Sequence, residues 1–203
     1  MKALIFLLAC FLLFVNGMEG QTSTSSKEEQ AVYASVLGRI YEQNQETYLN
    51  ARDFVVLSET WVNQEVEDSS EVRRYGQLLS DFKRVNSSKF RHEALPVKNY
   101  HLIDQAEVDK LFAEGEALYK QAVAKQEPGR IILGTEYWIP FGKKYPDSVG
   151  LHKLSKVGFD KKNTLALVNV TFESNLSGFS RMYVLKKKKG VWSILEWSGK
   201  ESR

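Results

Sequence analysis

The chain has 203 residues, a nearly balanced charge and a single cysteine. Its 28 Lys and Arg residues against 25 Asp and Glu residues give a net charge of +3. A nucleic-acid-binding domain usually carries a stronger basic excess on one face, so we expect no nucleic-acid partner. The length suits one domain, and a domain of this size buries about 70% of the unfolded chain's surface without needing disulfides.

The first residues have the composition of a secretory signal peptide. Lys2 precedes an apolar run from Ala3 to Val15, and small and polar residues follow it. The run is shorter than the roughly 20 apolar residues that cross a bilayer, so no membrane span is expected. Cleavage after Gly17 or Gly20 leaves a secreted or periplasmic protein.

Cys10 allows an alternative to this interpretation. Leu7-Leu8-Ala9-Cys10 has the residue types of a bacterial lipoprotein cleavage box, which predicts a lipid anchor at Cys10. Apolar residues continue up to Val15, whereas a mature lipoprotein normally turns polar after its cysteine, and this favours the signal peptide. Removal of the signal also removes Cys10, so the exported domain has no disulfide and no thiolate metal site.

The first half of the remaining chain has the pattern of three amphipathic helices. Residues 21–26 are small and polar and predict a flexible linker, after which residues 27–203 form one domain. Apolar residues at helical spacing follow three capping boxes, in which an N-cap side chain and a Glu three residues later satisfy first-turn amides. The three boxes are Ser26 to Glu29, Asp68 to Glu71 and Asp104 to Glu107.

Two short strands are predicted among these helices, and the second half of the chain is predicted to be strand-rich. Phe54–Leu57 and Tyr100–Ile103 are the early strands, residues 86–96 are a loop, and Pro128-Gly129 ends the third helix. After Gly129 apolar residues alternate with polar ones, which is typical of strands. The predicted strands begin at Ile131-Ile132-Leu133 and continue with residues 164–173, 180–185 and 191–197.

The alternation in residues 164–173 places Ala166, Val168, Val170 and Phe172 on the face that packs on the helices. Lys186-Lys187-Lys188-Lys189-Gly190 is predicted to be a solvated hairpin turn between the last two strands. The fold class is therefore α+β, with three amphipathic helices packed on a C-terminal antiparallel meander sheet.

Three motifs of this second half resemble a group of uncharacterised exported bacterial proteins. The motifs are Ser155-Lys156-Val157-Gly158-Phe159, Ala166-Leu167-Val168-Asn169-Val170 and Lys188-Lys189-Gly190-Val191-Trp192. They correspond to an S-x-V-G-F, A-L-V-x-V, K-x-G-x-W layout over about the last quarter of the chain. Residues 174–178 lack the glycine and cysteine richness often present between those strands in the group, so no redox or disulfide feature carries over. The resemblance implies bacterial export and no activity.

Gly134 to Phe141 is the segment whose residues are most suggestive of a binding site. Aromatic rings bury apolar area of a ligand while a carboxylate orients its hydroxyl or amino groups. The candidate ligand-binding residues are Glu136, Tyr137, Trp138 and Phe141. Aromatic residues also fill protein cores, which is the alternative role for these rings. The corresponding function is a non-enzymatic binding module with an aromatic-lined surface, whose ligand or protein partner is unknown.

A hydrolase with dispersed acidic and histidine residues is the alternative function. It requires Glu136 or Asp147 to converge with His152, because catalytic partners lie within hydrogen-bond reach of each other. The sequence has no cofactor motif and no G-x-S-x-G elbow. His92, His101 and His152 are too widely separated to indicate a metal site, so neither a cofactor nor a metal is expected.

Three asparagine sequons begin at Asn86, Asn169 and Asn175. In a eukaryotic secreted protein they are candidate glycan acceptors on exposed surface. The alternation of residues 164–173 turns Asn169 away from the predicted core face. The sequence therefore does not decide whether any of the three asparagines is glycosylated.

Overall fold

The computed structural model describes residues 26–47, 52–59, 73–125, 134–175 and 177–202, without the side chains of residues 44–47 and 200–202. The signal peptide, the lipoprotein box, residues 21–25 of the linker, the second capping box, Pro128-Gly129 and the Ile131-Ile132-Leu133 strand lie outside these residues.

The described residues form an α+β fold with four α-helices and seven strands. In chain order the elements are α1 (Lys27–Thr47), β1 (Phe54–Leu57), α2 (Gly76–Val85), β2 (Tyr100–Ile103), α3 (Gln105–Ala124), a 3₁₀ turn (Thr135–Trp138), α4 (Ile139–Lys144), β3 (Leu151–Leu154), β4 (Gly158–Phe159), β5 (Leu165–Glu173), β6 (Gly178–Lys188) and β7 (Val191–Ser202). The two early strands have the predicted bounds.

All seven strands belong to one mixed sheet in the order β2-β1-β3-β5-β6-β7, with β4 paired to β5. Strands β5, β6 and β7 are the predicted antiparallel meander, and β3 adds to it in antiparallel pairing with β5. The early strands are not separate from this sheet, because β1 pairs in parallel with both β2 and β3. The sheet therefore differs from the predicted antiparallel one by a parallel edge.

One face of the sheet is covered by α1. Ala166, Val168 and Val170 of β5 lie in a buried apolar cluster with five α1 residues, which are Val32, Tyr33, Val36, Leu37 and Ile40. The predicted core face of β5 is thus confirmed at these positions. The capping box that begins α1 is also confirmed: the Ser26 amide donates to Glu29 Oε2 at 2.8 Å, and the Glu29 amide donates to Ser26 Oγ at 3.2 Å.

The opposite face of the sheet is covered by the other three helices. Leu167 of β5 packs against α2, where Leu78, Leu79 and Phe82 are buried. Helices α3 and α4 pack farther along, over Val55 and Leu151. Strand β5 is therefore buried on both faces, which the alternating sequence pattern did not predict.

Helix α2 and strand β4 approach each other closely at the glycine of the S-x-V-G-F motif. A Cβ atom on Gly158 would lie 2.6 Å from the Cα of Phe82 and 2.7 Å from its Cβ. Such distances leave no room for a side chain, so this glycine permits the helix to pack on the strand. The glycine of the S-x-V-G-F motif, Gly158, therefore has a structural role in this chain.

Hydrogen bonds from buried and half-buried side chains fix α1 on the sheet. The Tyr33 hydroxyl donates to the Ser155 carbonyl at 2.9 Å. Near the start of the helix, Glu28 accepts from Trp192 Nε1 at 2.7 Å and from Lys187 Nζ at 2.5 Å. These hydrogen bonds lower the pKa of Glu28, with that from Lys187 having the largest effect.

Two predicted details of the second half were wrong. Residues Thr135–Lys144 are helical, where the sequence pattern was interpreted as strand-rich. The lysines after Leu185 are not all in a turn: Lys186, Lys187 and Lys188 belong to β6, and Lys187 is half-buried against Glu28. The turn itself is Lys189-Gly190, whose positive φ angles of 50° and 82° suit a tight hairpin.

None of the helices within the described residues combines the length and the apolar character that crossing a membrane requires.

Two of the three histidines are buried in apolar surroundings. His152 is 1% exposed and lies between the rings of Phe54 and Phe172, with centroid distances of 5.1 and 4.9 Å. His92 is 2% exposed and packs edge-on against Tyr33. Burial lowers the pKa of each imidazole to about 4. A backbone hydrogen bond with Leu154 at His92, and one with Val55 at His152, oppose this lowering to a smaller extent. Both rings are therefore neutral at pH 7.

We predict that the protein loses stability as pH falls from about 6.5 towards 4. In that window the unfolded chain binds protons at His92 and His152 that the folded protein does not, so protonation favours unfolding. The loss should reach about 2–3 kcal/mol for each histidine. Denaturant unfolding at a series of pH values measures it.

The variant His152→Leu should flatten this pH dependence. The matched control is His101→Gln, because the His101 side chain is 48% exposed and pairs with Asp53 at the surface. A His152→Leu profile as steep as that of the wild type would contradict the assignment of His152 as a buried neutral group.

Candidate functional site

The segment predicted to bind a ligand lies against α3 and forms part of the core. Glu136, Tyr137 and Trp138 occupy the half-buried 3₁₀ turn, and Phe141 is 4% exposed in α4. Trp138 makes edge-on contacts with Phe112 and Phe141 at centroid distances of 5.1 and 5.3 Å. The structure thus brings these four residues together, with Phe141 enclosed and Trp138 packed between neighbouring rings.

Glycines position this turn on α3. A Cβ on Gly115 would lie 2.3 Å from the Tyr137 carbonyl oxygen, so only glycine lets the helix and the turn approach this closely. Gly134 precedes the turn with a φ of 74°, which favours glycine. Tyr137 stacks obliquely on Tyr119 at 4.9 Å. Glu136 Oε2 is buried and has no hydrogen-bond partner among the described residues.

The residues of the hydrolase hypothesis do not form a hydrogen-bonded set. Neither ring nitrogen of His152 hydrogen-bonds a side chain among the described residues, and the backbone hydrogen bond that opposes the lowering of its pKa is with Val55. Its ring is enclosed by Phe54 and Phe172, whereas Asp147 is exposed and its main-chain oxygen caps the start of β1 by accepting from the Arg52 and Asp53 amides. General acid-base chemistry needs an accessible imidazole within reach of its partner, so the geometry gives this hypothesis no support.

The described part of the chain holds no group of three or more His, Cys, Asp or Glu side chains placed to bind a metal ion.

The three sequons differ in accessibility. Asn175 is exposed, whereas Asn86 and Asn169 are each 6% exposed. The Asn86 amide nitrogen donates to the Phe82 carbonyl at 3.0 Å and to the Lys156 carbonyl at 2.9 Å. A glycan on that nitrogen is incompatible with these bonds, and Asn169 has no room for one. The expectation that the position of Asn169 leaves it open to glycosylation was therefore wrong, because α2 covers its face of the sheet.

A groove of about 780 Å³ lies between α1 and the edge strand β7. This volume is within the range of about 300–1,000 Å³ typical of small-molecule sites. Its helix wall includes Gly38, Arg39 and Gln43, and its sheet wall includes Trp192 and Trp197. Trp197 is 48% exposed, so about half of this large aromatic side chain is open to solvent.

Tyr183 of β6 also lines the groove, and its hydroxyl is unusual. Strand pairing sets Tyr183 beside Trp197 on the face that α1 covers. The side chain is 2% exposed, and no described residue accepts a hydrogen bond from its buried hydroxyl group. A buried hydroxyl in that state costs about 1–3 kcal/mol, so its presence requires a physical reason.

Two arginines lie close to this hydroxyl. Burial raises the pKa of Tyr183, and a side-chain hydrogen bond with Arg181 and the positive charges of Arg181 and Arg39 oppose that rise. The guanidinium of Arg181 lies over the rings of Phe179 and Trp197, 4.3 and 4.4 Å from their centroids. Its Nη1 donates to Gln43 Oε1 on α1 at 3.5 Å. The groove therefore combines partly exposed aromatic surface with two arginines that act on the Tyr183 hydroxyl.

The sequence analysis missed this site because its walls come from opposite ends of the domain. Helix α1 precedes β7 by about 150 residues, and neither segment has a motif for binding. One available signal was the presence of two tryptophans, Trp192 and Trp197, in the last predicted strand. The K-x-G-x-W motif contains Trp192 but gave no indication of a cavity.

The variant Tyr183→Phe should unfold with nearly unchanged stability, because no described residue accepts a hydrogen bond from the hydroxyl that it removes. The matched control is Tyr145→Phe, since the Tyr145 hydroxyl donates to Glu107 Oε1 at 2.5 Å. That substitution should cost about 1–2 kcal/mol. Chemical denaturation compares the two variants, and an equal loss in both would show that the Tyr183 hydroxyl is bonded in the folded protein.

Comparison of the chain with protein-family profiles, with curated protein sequences and with solved structures found no match. The resemblance of the last quarter to exported bacterial proteins therefore stays a prediction, and the geometry of the groove is the basis for a functional proposal.

Proposed function

We propose that this protein is a non-enzymatic binding module that holds a small organic ligand in the groove between α1 and β7. The observation that carries the proposal is the buried hydroxyl of Tyr183, whose proton no described residue accepts, beside a partly exposed Trp197. Ligand sites combine apolar and aromatic walls with a few convergent polar groups, and this groove has both. A bound ligand would supply the missing hydrogen-bond partner.

The groove is a better candidate than the segment from Glu136 to Phe141. In that segment Phe141 is buried and Trp138 packs in the apolar cluster of α3, α4 and β1. In the groove, Trp197 has about half of its surface free, and Leu195 next to it on β7 is 53% exposed. Exposed large apolar side chains on one edge strand are characteristic of an interaction surface.

A non-enzymatic role agrees with the chemistry of the groove residues. The carboxylate of Glu196 accepts from Tyr75 Oη at 2.5 Å and pairs with Arg74, and Glu42 pairs with Arg39 at 3.3 Å. These acids are held by cations or a phenol, and none of them hydrogen-bonds an imidazole. The arrangement can bind and orient a ligand, and it lacks the paired acid and base that hydrolysis requires.

Titration with the neutral, solvent-sensitive naphthalene dye PRODAN tests this function. We expect its emission to shift to shorter wavelength on binding, and we expect Trp197→Ala to weaken that binding at least 10-fold, since aromatic contacts dominate small binding sites. Trp197→Ala should fold normally because the side chain is 48% exposed. Thermal unfolding checks this point.

Trp138→Ala is the matched control. It should lose about 2–4 kcal/mol of stability, because Trp138 packs against Phe112 and Phe141, but it should retain dye affinity when folded. Loss of dye binding in folded Trp138→Ala, with full binding in Trp197→Ala, would move the site to the segment from Glu136 to Phe141. No binding to the wild-type protein would contradict the proposed function.

We propose that the protein is exported as a free domain, on the basis of the basic residue and apolar run at its start. The intact mass of natively expressed protein tests this. A soluble form that starts at Met18 or Gln21 is expected. A lipidated form that starts at Cys10 in the membrane fraction would contradict export as a free domain and would show that the protein is anchored to the membrane.

A further inference from the structure

We propose that the ligand of the α1/β7 groove is an aromatic or similarly flat apolar monocarboxylate, whose carboxylate lies at Tyr183 between Arg181 and Arg39. This inference rests on the proposed binding function and adds the chemical class of the ligand. It depends on three features of the groove: a donor without an acceptor, the sign of the nearby charge, and the shape of the apolar wall.

The Tyr183 hydroxyl is a hydrogen-bond donor that lacks an acceptor among the described residues. A phenol donates readily to a carboxylate, and a bond to a charged acceptor is about twice as strong as one between neutral groups. The groove-lining carboxylates do not accept this proton: Glu42 pairs with Arg39, and Glu196 pairs with Arg74 and Tyr75. An acceptor brought by the ligand fits this position.

The charges that act on this hydroxyl favour an anion. Arg181 and Arg39 are the charged side chains that affect it, and both are cationic. The Arg181 guanidinium is held in place by the rings of Phe179 and Trp197 and by its bond to Gln43. A planar guanidinium fixed in this way matches the geometry of a carboxylate and loses little conformational entropy on binding it.

One negative charge on the ligand suits this groove better than several. Glu42 also lines the groove, so a phosphate ester or a dicarboxylate would bring its further charges close to an existing carboxylate. Trp192, Ile194 and Trp197 form the wall beyond the cationic end. A flat apolar body on this wall buries surface against indole rings while its single carboxylate reaches Tyr183.

Isothermal titration calorimetry at pH 7.5 with 2-naphthoate and its neutral analogue 2-naphthamide tests the inference. The two probes share one ring system and differ in charge at one end. We expect the wild-type protein to bind 2-naphthoate at least 10-fold more tightly than 2-naphthamide. Tyr183→Phe should remove most of that preference while leaving 2-naphthamide affinity unchanged.

Arg39→Gln should weaken 2-naphthoate binding several-fold, and Arg84→Gln is its matched control. Both arginines are exposed and pair with a carboxylate three residues away, but Arg84 lies on α2, on the opposite face of the sheet. An equal effect of the two substitutions would show that only general surface charge is involved and would overturn the assignment of Arg39 to the site.

The outcomes separate the ligand class from the proposed function. Equal affinity for both naphthalene probes, with dye binding that still depends on Trp197, would overturn the monocarboxylate and leave the binding function in place. A preference for 2-naphthoate that survives in Tyr183→Phe would place the anion elsewhere and contradict the inference. Absence of binding by both probes and by PRODAN would contradict the groove as a binding site.

Discussion

Burial of the central strands on both faces is the constraint on which the rest of this structure depends. Strand β5 has Val168 packed on α1 and Leu167 packed on α2, and both side chains are fully buried. Among the described residues, three helices cover one face of the sheet and one helix, α1, covers the other. A single helix is narrower than a sheet of this width, and the groove lies beside α1 along β7.

The groove follows from how α1 is fixed. Its first turns are held by Glu28 at the β6–β7 hairpin and by Tyr33 at Ser155. Beyond those contacts, Gly38 carries no side chain to fill the space above the sheet, and a Cβ there would meet no atom within 4 Å. The cavity thus lies where the helix passes over Tyr183 and the edge strand.

Polar groups inside the domain fall into two classes. Asn86 and Ser155 satisfy main-chain groups of neighbouring segments, and each makes bonds that fix a loop. The Tyr183 hydroxyl has no acceptor among the described residues, whereas the hydroxyls of the two other buried tyrosines in this part of the chain, Tyr33 and Tyr145, donate to the Ser155 carbonyl and to Glu107. This contrast, together with the adjacent arginines, separates a candidate binding group from structural ones.

Local patterns in the sequence determined much of the fold but not the site. The capping box at Ser26, the N-cap bond at Asp104, the bounds of β1 and β2, and the inward face of β5 depend on interactions over a few residues, so the sequence predicted them. Tertiary structure alone decided the parallel edge, the helical turn at Glu136 and the cover over Asn169. The pairing of α1 with β7, which forms the groove, was also decided by tertiary structure. These segments are distant in the chain, and local periodicity carries no information about which distant segments meet.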